Sequence, residues 1–380
     1  MPGIHDPLVL NGMYLRNRLV FPPVTTNYGA VDGQVTDDIL GFYERRAGDV
    51  GMVVVEATAV RGDGRLVNQG LGIWDDAQQP GMARLVETIR ARGAATVLQI
   101  NHGGARCKPL GGELQGASPS GIQFRADVVP FALDEGQIVQ LVEDFVAAGV
   151  RARAAGFDAV EIHGAHLYLI GQFLSPLANT RDDRYGGDAV ARATFAVDIA
   201  RALRARLGGG VPLLFRMNGV EEVEGGQTLE DAVIIAREMA RAGVDAIDVS
   251  LSTQCTWSDV DGQRLLAASS ALGKERPAGT GVPHAAAIKR GSGLPVIAVG
   301  KLWQPEVVAE TLESGSADLV AIGRQLIVDP DAAGKLLSGK ASEIVPCIEC
   351  RQCFATIHRG VPMECSVNTN PPGEPIFRDS

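Results

Sequence analysis

The stretch VIAVGKLWQPEVVAETLESGSADLVAIG (296–323) contains a complete strand–helix–strand unit, and it decides the fold of the chain. Its two ends, VIAVG (296–300) and LVAIG (319–323), are continuously apolar and rich in β-branched residues. Such runs are typical of parallel strands that are covered on both faces. Between them, Pro305 suits the first turn of a helix. The stretch therefore predicts a βαβ unit.

Six further apolar runs precede this unit, and segments with helical spacing separate them. Between Met82 and Ile89, for example, four apolar residues follow the i, i+3, i+4, i+7 pattern of one helix face. The runs are RLVFPPV (18–24), GMVVVEA (51–57), TVLQIN (96–101), DAVEIH (158–163), LLFRM (213–217) and DAIDVS (245–250). Eight strands that alternate with helices, without a GxGxxG motif after the first, predict an α/β fold of the (β/α)8 TIM-barrel type over residues 1–340.

Composition and charge limit the classes of function. The chain has 380 residues, of which 46% are hydrophobic and 21% charged, and its net charge is -10 with scattered acidic residues. Nothing therefore marks a basic groove for nucleic acid. The N-terminal MPGIHDPLVLNG lacks the pattern of a secretory signal, and no run approaches the roughly 18 apolar residues of a membrane helix. We expect a cytoplasmic enzyme that acts on a small molecule without a membrane partner, and homo-oligomerisation stays open.

Polar residues at the carboxyl end of the fourth run are the first candidates for catalysis, since barrel active sites lie where strands end. His163 ends that run, and His166 and Tyr168 follow within five residues. Two imidazole N–H groups can hold a carbonyl or carboxylate oxygen, and a phenol can donate a proton. The alternatives are one structural and one surface histidine, or a zinc pair, for which no third ligand of suitable spacing follows.

Other strand ends carry groups that suit an anion or a ring. The last two strands each end in a glycine followed by a cation, Gly300–Lys301 and Gly323–Arg324, and barrels often bind phosphate at this corner. Arg216 is an unusual residue inside LLFRM unless it faces an anion. Gln99 offers an amide that suits the donor and acceptor edge of a ring.

Four of the six cysteines crowd into the C-terminal segment 341–380. Cys347, Cys350, Cys353 and Cys365 follow the pattern C-x2-C-x2-C-x11-C. A large cytoplasmic chain has little need of disulfides, so clustered thiols predict a metal-binding or iron–sulfur site. Structural zinc and unliganded thiols remain alternatives at this point.

Across essentially its whole length the chain resembles the Old Yellow Enzyme family of flavin oxidoreductases. The resemblance implies a barrel that binds FMN without covalent attachment and takes electrons from NADH or NADPH. The stretches that carry it are NRLVFPPVTT (17–26), VVEATAV (54–60), LQINHGGAR (98–106), EIHGAHLYLIGQFLSPLANTRDDRYGG (161–187), LLFRMNGVE (213–221), VIAVGKL (296–302) and DLVAIGRQLIVDP (318–330).

The same resemblance implies roles for individual residues. Ten of them would contact FMN: Pro23, Val24, Thr25, Ala57, Gln99, Arg216, Gly300, Lys301, Gly323 and Arg324. His163 and His166 would bind the electron-withdrawing group of the substrate, and Tyr168 would protonate the carbon next to it. Hydride from reduced FMN would then reach the β-carbon. One departure stands inside this segment, because Leu167 occupies a position where the family usually has glycine.

The C-terminal segment resembles the iron–sulfur part of the dienoyl-CoA reductase and trimethylamine dehydrogenase branch. This likeness implies a [4Fe–4S] cluster held by Cys347, Cys350, Cys353 and Cys365. Members of that branch continue into domains that bind a second flavin and a nicotinamide, which these 380 residues do not contain. We therefore expect either a separate electron-donor subunit or direct reduction of FMN by NAD(P)H.

These observations lead to a hypothesis and two alternatives. The hypothesis is an ene-reductase for an α,β-unsaturated carbonyl, carboxylate or thioester compound. The first alternative is an oxidative flavoenzyme, such as an amine demethylase, that passes electrons out through the cluster. The His163–His166 pair argues against it, since a cationic amine prefers carboxylate or aromatic partners. The second alternative is an electron-transfer subunit that uses the barrel only to hold a flavin.

Overall fold

The computed structural model describes residues 2–251, 254–260, 262–269 and 273–377. The strands are β1 (Leu8–Leu10), β2 (Met13–Leu15), β3 (Leu19–Phe21), β4 (Met52–Ala59), β5 (Ala95–Asn101), β6 (Ala117–Ser118), β7 (Phe131–Ala132), β8 (Ala159–Gly164), β9 (Leu213–Asn218), β10 (Ala246–Ser250), β11 (Gln254–Val260), β12 (Gln263–Ser269), β13 (Val296–Val299) and β14 (Leu319–Ala321). The α-helices are α1 (Asp37–Ala47), α2 (Gln79–Ala91), α3 (Glu135–Ala154), α4 (Leu169–Leu174), α5 (Ala189–Arg192), α6 (Thr194–Leu207), α7 (Leu229–Arg241), α8 (Val282–Ser292), α9 (Pro305–Glu313), α10 (Arg324–Val328), α11 (Ala332–Leu337) and α12 (Gln352–His358).

Eight parallel strands close into a barrel in the order β10-β13-β14-β3-β4-β5-β8-β9. Each of the eight predicted apolar runs supplies one of these strands, so the predicted (β/α)8 TIM barrel is confirmed. The first barrel strand, β3, is shorter than the apolar run 18–24 from which it was predicted. It ends at Phe21 because Pro22 and Pro23 have no amide hydrogen for the strand ladder.

Helix boundaries follow the local signals. Thr228 caps α7 in a capping box with Asp231, and Pro305 is the first residue of α9, as predicted for Pro305. The apolar face predicted between Met82 and Ile89 is the buried face of α2. Within the described ranges no helix is both long enough and apolar enough to cross a membrane.

The barrel interior changes from apolar to polar along the strands. Towards the amino ends of the strands, Val97, Ala159, Leu214 and Ala246 belong to one buried apolar cluster. Inward positions recur every second residue along a strand, so the next inward layer comes two residues later on the same four strands. That polar layer consists of Gln99, Glu161, Arg216 and Asp248.

The C-terminal segment packs directly on the barrel. The Tyr28 hydroxyl donates to the Met363 carbonyl at 2.5 Å, and the buried Arg46 donates to the Pro371 carbonyl at 3.1 Å. Gln325 accepts from the Cys347 amide at 2.9 Å and donates to the Val345 carbonyl at 2.7 Å. The described part of the segment therefore shares the barrel's core, and the domain boundary at residue 340 stays a prediction.

Glu56 provides a test of the packing between β4 and α1. It is fully buried, and it accepts hydrogen bonds from the Thr26 hydroxyl at 2.7 Å and the Thr26 amide at 3.1 Å. Tyr43 of α1 places its hydroxyl 3.4 Å from the same carboxyl group. Burial raises the pKa of Glu56 from 4.5 to about 7. The folded protein therefore binds this proton more tightly than the unfolded chain does.

Glu56→Gln is expected to flatten the pH dependence of stability. The wild-type contribution is fully present below pH 4.5 and is lost as the pH rises through about 7, because ionising Glu56 is costlier in the folded state. The difference in unfolding free energy between the two proteins should change by on the order of 1–3 kcal/mol across this window. Urea unfolding at several pH values measures it, and parallel curves would contradict the assignment.

Candidate active site

One cavity of about 480 Å³ lies at the carboxyl ends of the barrel strands, within the usual size range of small-molecule sites. Every residue predicted to contact FMN or substrate lines it. These residues are Pro23, Val24, Thr25, Ala57, Gln99, His163, His166, Tyr168, Arg216, Gly300, Lys301, Gly323 and Arg324. The structure thus brings the predicted residues together, while their individual roles remain predictions.

His163, His166 and Tyr168 form a compact group of three rings. The centroid of the His163 ring lies 5.1 Å from that of His166 and 5.2 Å from that of Tyr168, and the latter two are 6.2 Å apart. Burial, together with the positive charge of Arg216, lowers the pKa of both histidines well below the usual value. At neutral pH both imidazoles are therefore uncharged, and each has one N–H to donate.

Ser250 lies within hydrogen-bond distance of both His166 and Arg216. The Ser250 hydroxyl lies 2.6 Å from His166 Nε2 and 3.4 Å from Arg216 Nη2. Arginine can only donate, so the Ser250 oxygen accepts from Arg216. The hydroxyl can also either donate to His166 Nε2 or accept from it, so both neutral tautomers of His166 fit this contact.

The turn that precedes Tyr168 has a left-handed backbone. His166 has a φ angle of 60° and Leu167 one of 54°, a conformation that glycine adopts at little cost. Leu167 does not line the cavity but is fully buried in a separate apolar cluster with Phe124 and Leu266. The departure from glycine therefore leaves the cavity open, and burial of the leucine offsets the backbone strain.

Two contacts hold this turn in place. Gln172 donates to the Leu167 carbonyl at 2.8 Å, and Arg106 donates to the His166 carbonyl. The Arg106 guanidinium also lies over the Tyr168 ring, 4.9 Å from its centroid. A cation at this place stabilises negative charge on the phenol oxygen.

The glycine–cation pairs differ from each other. Gly300 has a φ angle of 136°, so its position favours glycine, and Lys301 follows with a φ angle of 56°. The Lys301 ammonium is 2.6 Å from both Glu349 and the Arg276 carbonyl. This pairing was not foreseen, and it engages the cation that the sequence assigned to a phosphate. Gly323 and Arg324 stand at the start of the short helix α10.

Sequence reasoning missed most of the cations around the cavity. Arg106, Lys108 and Arg125 come from the long segment after β5, and Arg351 comes from the C-terminal segment. Among the described lining residues, Glu349 is the one carboxylate. The sequence between β5 and α3 does not show which of its side chains reach the cavity, because this depends on the path of the folded segment.

Cys255 and Tyr28 lie away from the cavity. Cys255 packs in the apolar cluster around Leu167, and its neighbour Trp257 stacks against Arg264 at 4.7 Å. Tyr28 anchors the C-terminal segment through Met363. Neither Cys255 nor Tyr28 lines the 480 Å³ cavity.

The four cysteines of the C-terminal segment line a second, smaller cavity beside the first. Cys347 and Cys353 line both cavities, as does Arg324. The amides of Val367 and Asn368 each lie 3.4 Å from Cys365 Sγ, and such N–H donors stabilise a thiolate. The turn through Cys350 has left-handed residues on both sides, at Glu349 and Arg351.

The spacing of these thiols bears on what they can bind. Around one zinc ion four sulfurs lie roughly 3.8 Å apart, because each Zn–S bond is about 2.3 Å. Within the part of the chain that the structure describes, no three His, Cys, Asp or Glu side chains converge at the distance of a single ion. In a [4Fe–4S] cluster each thiolate binds a different iron, so the sulfurs stand further apart. The structure thus places the four cysteines around one cavity, and what they bind stays a prediction.

The sequence was compared with known proteins. The sequence model of the NADH:flavin oxidoreductase / NADH oxidase family matches residues 3–343. The chain belongs to this family. The predicted resemblance to the Old Yellow Enzyme family and the predicted class, an NAD(P)H-dependent flavin oxidoreductase, are thereby confirmed at the level of the family.

Relatives of this NADH:flavin oxidoreductase differ in length. An NADH oxidase of Thermoanaerobacter brockii is 35% identical over 373 residues, which cover 97% of this chain and 56% of that protein. An NADPH dehydrogenase of Listeria innocua is 37% identical over 335 residues, covering 87% of this chain and 93% of that protein. The chain thus spans about half the length of the longer relative and nearly all of the shorter one.

Solved structures support the same fold. Morphinone reductase superposes with a TM-score of 0.72 at 27% identity, covering 89% of this chain and 90% of that chain. A 2-naphthoyl-CoA reductase superposes with a TM-score of 0.88 at 24% identity, covering 97% of this chain and 57% of that chain. The second likeness, at this identity, concerns the fold alone.

The donor set of the NADH:flavin oxidoreductase cavity fits FMN. Arg216 has a buried Nε without a protein partner in the described residues, so this cation retains a donor for an anionic group. An added Cβ at Gly300 would lie 3.0 Å from the Leu251 side chain and 3.2 Å from the Gly281 nitrogen. Glycine at position 300 is therefore favoured by close packing as well as by its φ angle.

Proposed function

We propose that this chain is an FMN-dependent ene-reductase that reduces the C=C bond of an α,β-unsaturated compound. The observation that carries the proposal is the group of His163, His166 and Tyr168 on the wall of the cavity whose other residues suit FMN. When bound, FMN supplies to the β-carbon a hydride that originates from NADH or NADPH.

Different side chains perform the other steps of the proposed reaction. The neutral imidazoles of His163 and His166 donate hydrogen bonds to the oxygen of the activating group, where negative charge develops. Tyr168 donates its phenolic proton to the carbon next to that group. Arg106, over the Tyr168 ring, stabilises the phenolate that remains.

Charge around the cavity supports an anionic substrate. Arg106, Lys108, Arg125 and Arg351 line the cavity. Arg125 is paired with Asp127 and Arg351 with Glu275, and the carboxylate of Glu349 is paired with Lys301. Arg106 and Lys108 have no carboxylate within 4 Å among the described residues. Burial and the neighbouring Arg125 lower the pKa of Lys108, so an anion at this place would meet an incompletely compensated cluster of cations. An unsaturated carboxylate, or a thioester of a phosphate-bearing carrier, is therefore favoured over a cationic amine, which weakens the amine demethylase alternative.

A substrate panel tests both the reaction and this charge preference. After anaerobic reduction by NADH or NADPH, we expect unsaturated carboxylates and phosphate-bearing thioesters to reoxidise the enzyme with a kcat/KM roughly tenfold or more above that of a neutral enone. The gap should narrow at high salt, because screening weakens steering. In Lys108→Gln/Arg125→Gln the ratio of anionic to neutral kcat/KM should fall. Reduction of the flavin by amines without NAD(P)H would overturn the proposal.

We further propose that Cys347, Cys350, Cys353 and Cys365 hold a [4Fe–4S] cluster. The common cavity of the four cysteines and the two amides on Cys365 support it. Cys347 and Cys353 also line the larger cavity, so an electron has a short path between the two sites. NAD(P)H at the barrel is the proposed electron source, with a separate donor subunit or domain as the alternative.

A further inference from the structure

The polar layer inside the barrel contains two carboxyl groups and one cation. Glu161 and Asp248 are fully buried and do not line the cavity, whereas Gln99 and Arg216 of the same layer do. Beneath the layer lie only the apolar side chains of the lower barrel interior described above. The two carboxyl groups are therefore closed off from solvent on both sides.

Hydrogen bonds satisfy only half of the carboxyl oxygens. Gln99 Nε2 donates to Glu161 Oε1 at 2.8 Å, and Arg216 Nη1 donates to Asp248 Oδ2 at 2.6 Å. Glu161 Oε2 and Asp248 Oδ1 have no hydrogen-bond partner among the described residues. Two ionised carboxylates with a single guanidinium would leave one buried negative charge without compensation, which folded proteins avoid by binding a proton.

The surroundings of Glu161 and Asp248 also favour a bound proton. Burial, followed by the charge of Asp248, raises the pKa of Glu161, and Arg216 opposes this only in part. Burial also raises the pKa of Asp248. His163, further along β8, adds no positive charge, since its own pKa lies well below the usual value.

We propose that Glu161 and Asp248 share one proton at neutral pH, so that the layer of Gln99, Glu161, Arg216 and Asp248 carries no net charge. One bound proton is expected because two carboxyl groups that are buried in one layer with a single cation cannot both ionise at low cost. Glu161 is then a positioning residue. It fixes the Gln99 amide through the 2.8 Å hydrogen bond, and its neutral form adds no second negative charge beneath the cavity.

The consequence for the flavin rests on the proposed function. Reduced FMN would add negative charge near Arg216, and this charge would raise the proton affinity of the carboxyl pair. Near the pKa of the pair, reduction by two electrons should therefore take up one proton on the flavin and a further fraction of a proton on the carboxyl pair. Without Glu161, the remaining Asp248 stays ionised as the partner of Arg216, so the additional uptake is lost.

Infrared spectroscopy of the purified protein tests the shared proton directly. The difference spectrum of wild type minus Glu161→Gln should contain the C=O band of a protonated carboxyl at neutral pH, and this band should vanish as the pH rises through the raised pKa. Asp248→Asn leaves Glu161 as the counter-ion of Arg216, so the acid band should be lost at neutral pH. Carboxylate bands alone in the first difference spectrum would overturn the proposal. If Glu161→Gln does not fold, wild type minus Asp248→Asn decides in the same way.

A redox titration tests the consequence. The slope of the flavin midpoint potential against pH should correspond to more than one and up to two protons per two electrons in wild type near the pKa of the pair, and to one in Glu161→Gln. Glu56→Gln is the matched control, because Glu56 is equally buried but faces α1, and it should keep the wild-type slope. Equal slopes in wild type and Glu161→Gln would contradict the coupling. Failure to bind FMN would contradict the proposed function while leaving the infrared result to stand.

Discussion

Tyr168→Phe is expected to slow the oxidative half-reaction with an unsaturated substrate by on the order of 10²–10⁴-fold, the usual contribution of a positioned proton donor. The substitution removes one oxygen and keeps the ring, whose centroid lies 5.2 Å from that of His163 and 4.9 Å from the Arg106 guanidinium. Packing around the turn should therefore persist. Reduction of the enzyme by NAD(P)H should keep its wild-type rate, since no proton from Tyr168 enters that step.

Stopped-flow measurement of the two half-reactions separates these outcomes. Tyr14→Phe is a suitable control, because Tyr14 is 63% exposed in the N-terminal hairpin, and it should leave both rates unchanged. A Tyr168→Phe protein that reoxidises at the wild-type rate would show that the proton comes from another group. Equal slowing of both half-reactions would indicate displaced flavin rather than a lost proton donor.

Cys353→Ser is expected to change the iron content from about four atoms per chain to less than about one, because a cubane cluster that loses one of its four thiolates is seldom retained. Cys353 is informative since it lines both cavities. The broad visible absorbance of the anaerobically purified protein should fall with the iron, and the flavin bands should remain.

Cys107→Ser provides the matched comparison. Cys107 is also buried but belongs to the loop after β5, outside the C-terminal segment, so its replacement should preserve the iron. Wild-type protein with fewer than about three irons per chain would contradict the cluster. One zinc ion per chain, lost in Cys353→Ser and kept in Cys107→Ser, would show that the four cysteines bind a structural metal instead of the cluster.

The eight barrel strands could be predicted because parallel strands covered on both faces need continuous apolar runs, and eight such runs are visible in the sequence. The ends of these strands could be predicted as the functional edge for the same reason, since all strands of the barrel point the same way. Pro22 and Pro23 shortened the first strand, a local effect that the residues themselves explain.

Leu167 shows where such reasoning ends. The sequence shows only that a leucine replaces the usual glycine, whereas the structure shows a left-handed backbone with the side chain in an apolar cluster beside the cavity. The direction of a side chain after a turn depends on the φ and ψ angles that the whole segment adopts. Lys301 is similar, because its pairing with Glu349 joins residues 48 positions apart in the sequence.

The sequence by itself determined the barrel, the family, the His163–Tyr168 segment and the cysteine spacing, because each depends on residue type and local order. Only the tertiary structure decided the cationic wall of the cavity, the common cavity of the four cysteines and the closed layer that contains both Glu161 and Asp248. These features require the barrel to close and its long loops to fold over the mouth. Closure brings residues of four separate strands into one buried layer, and burial then changes which of them carry charge.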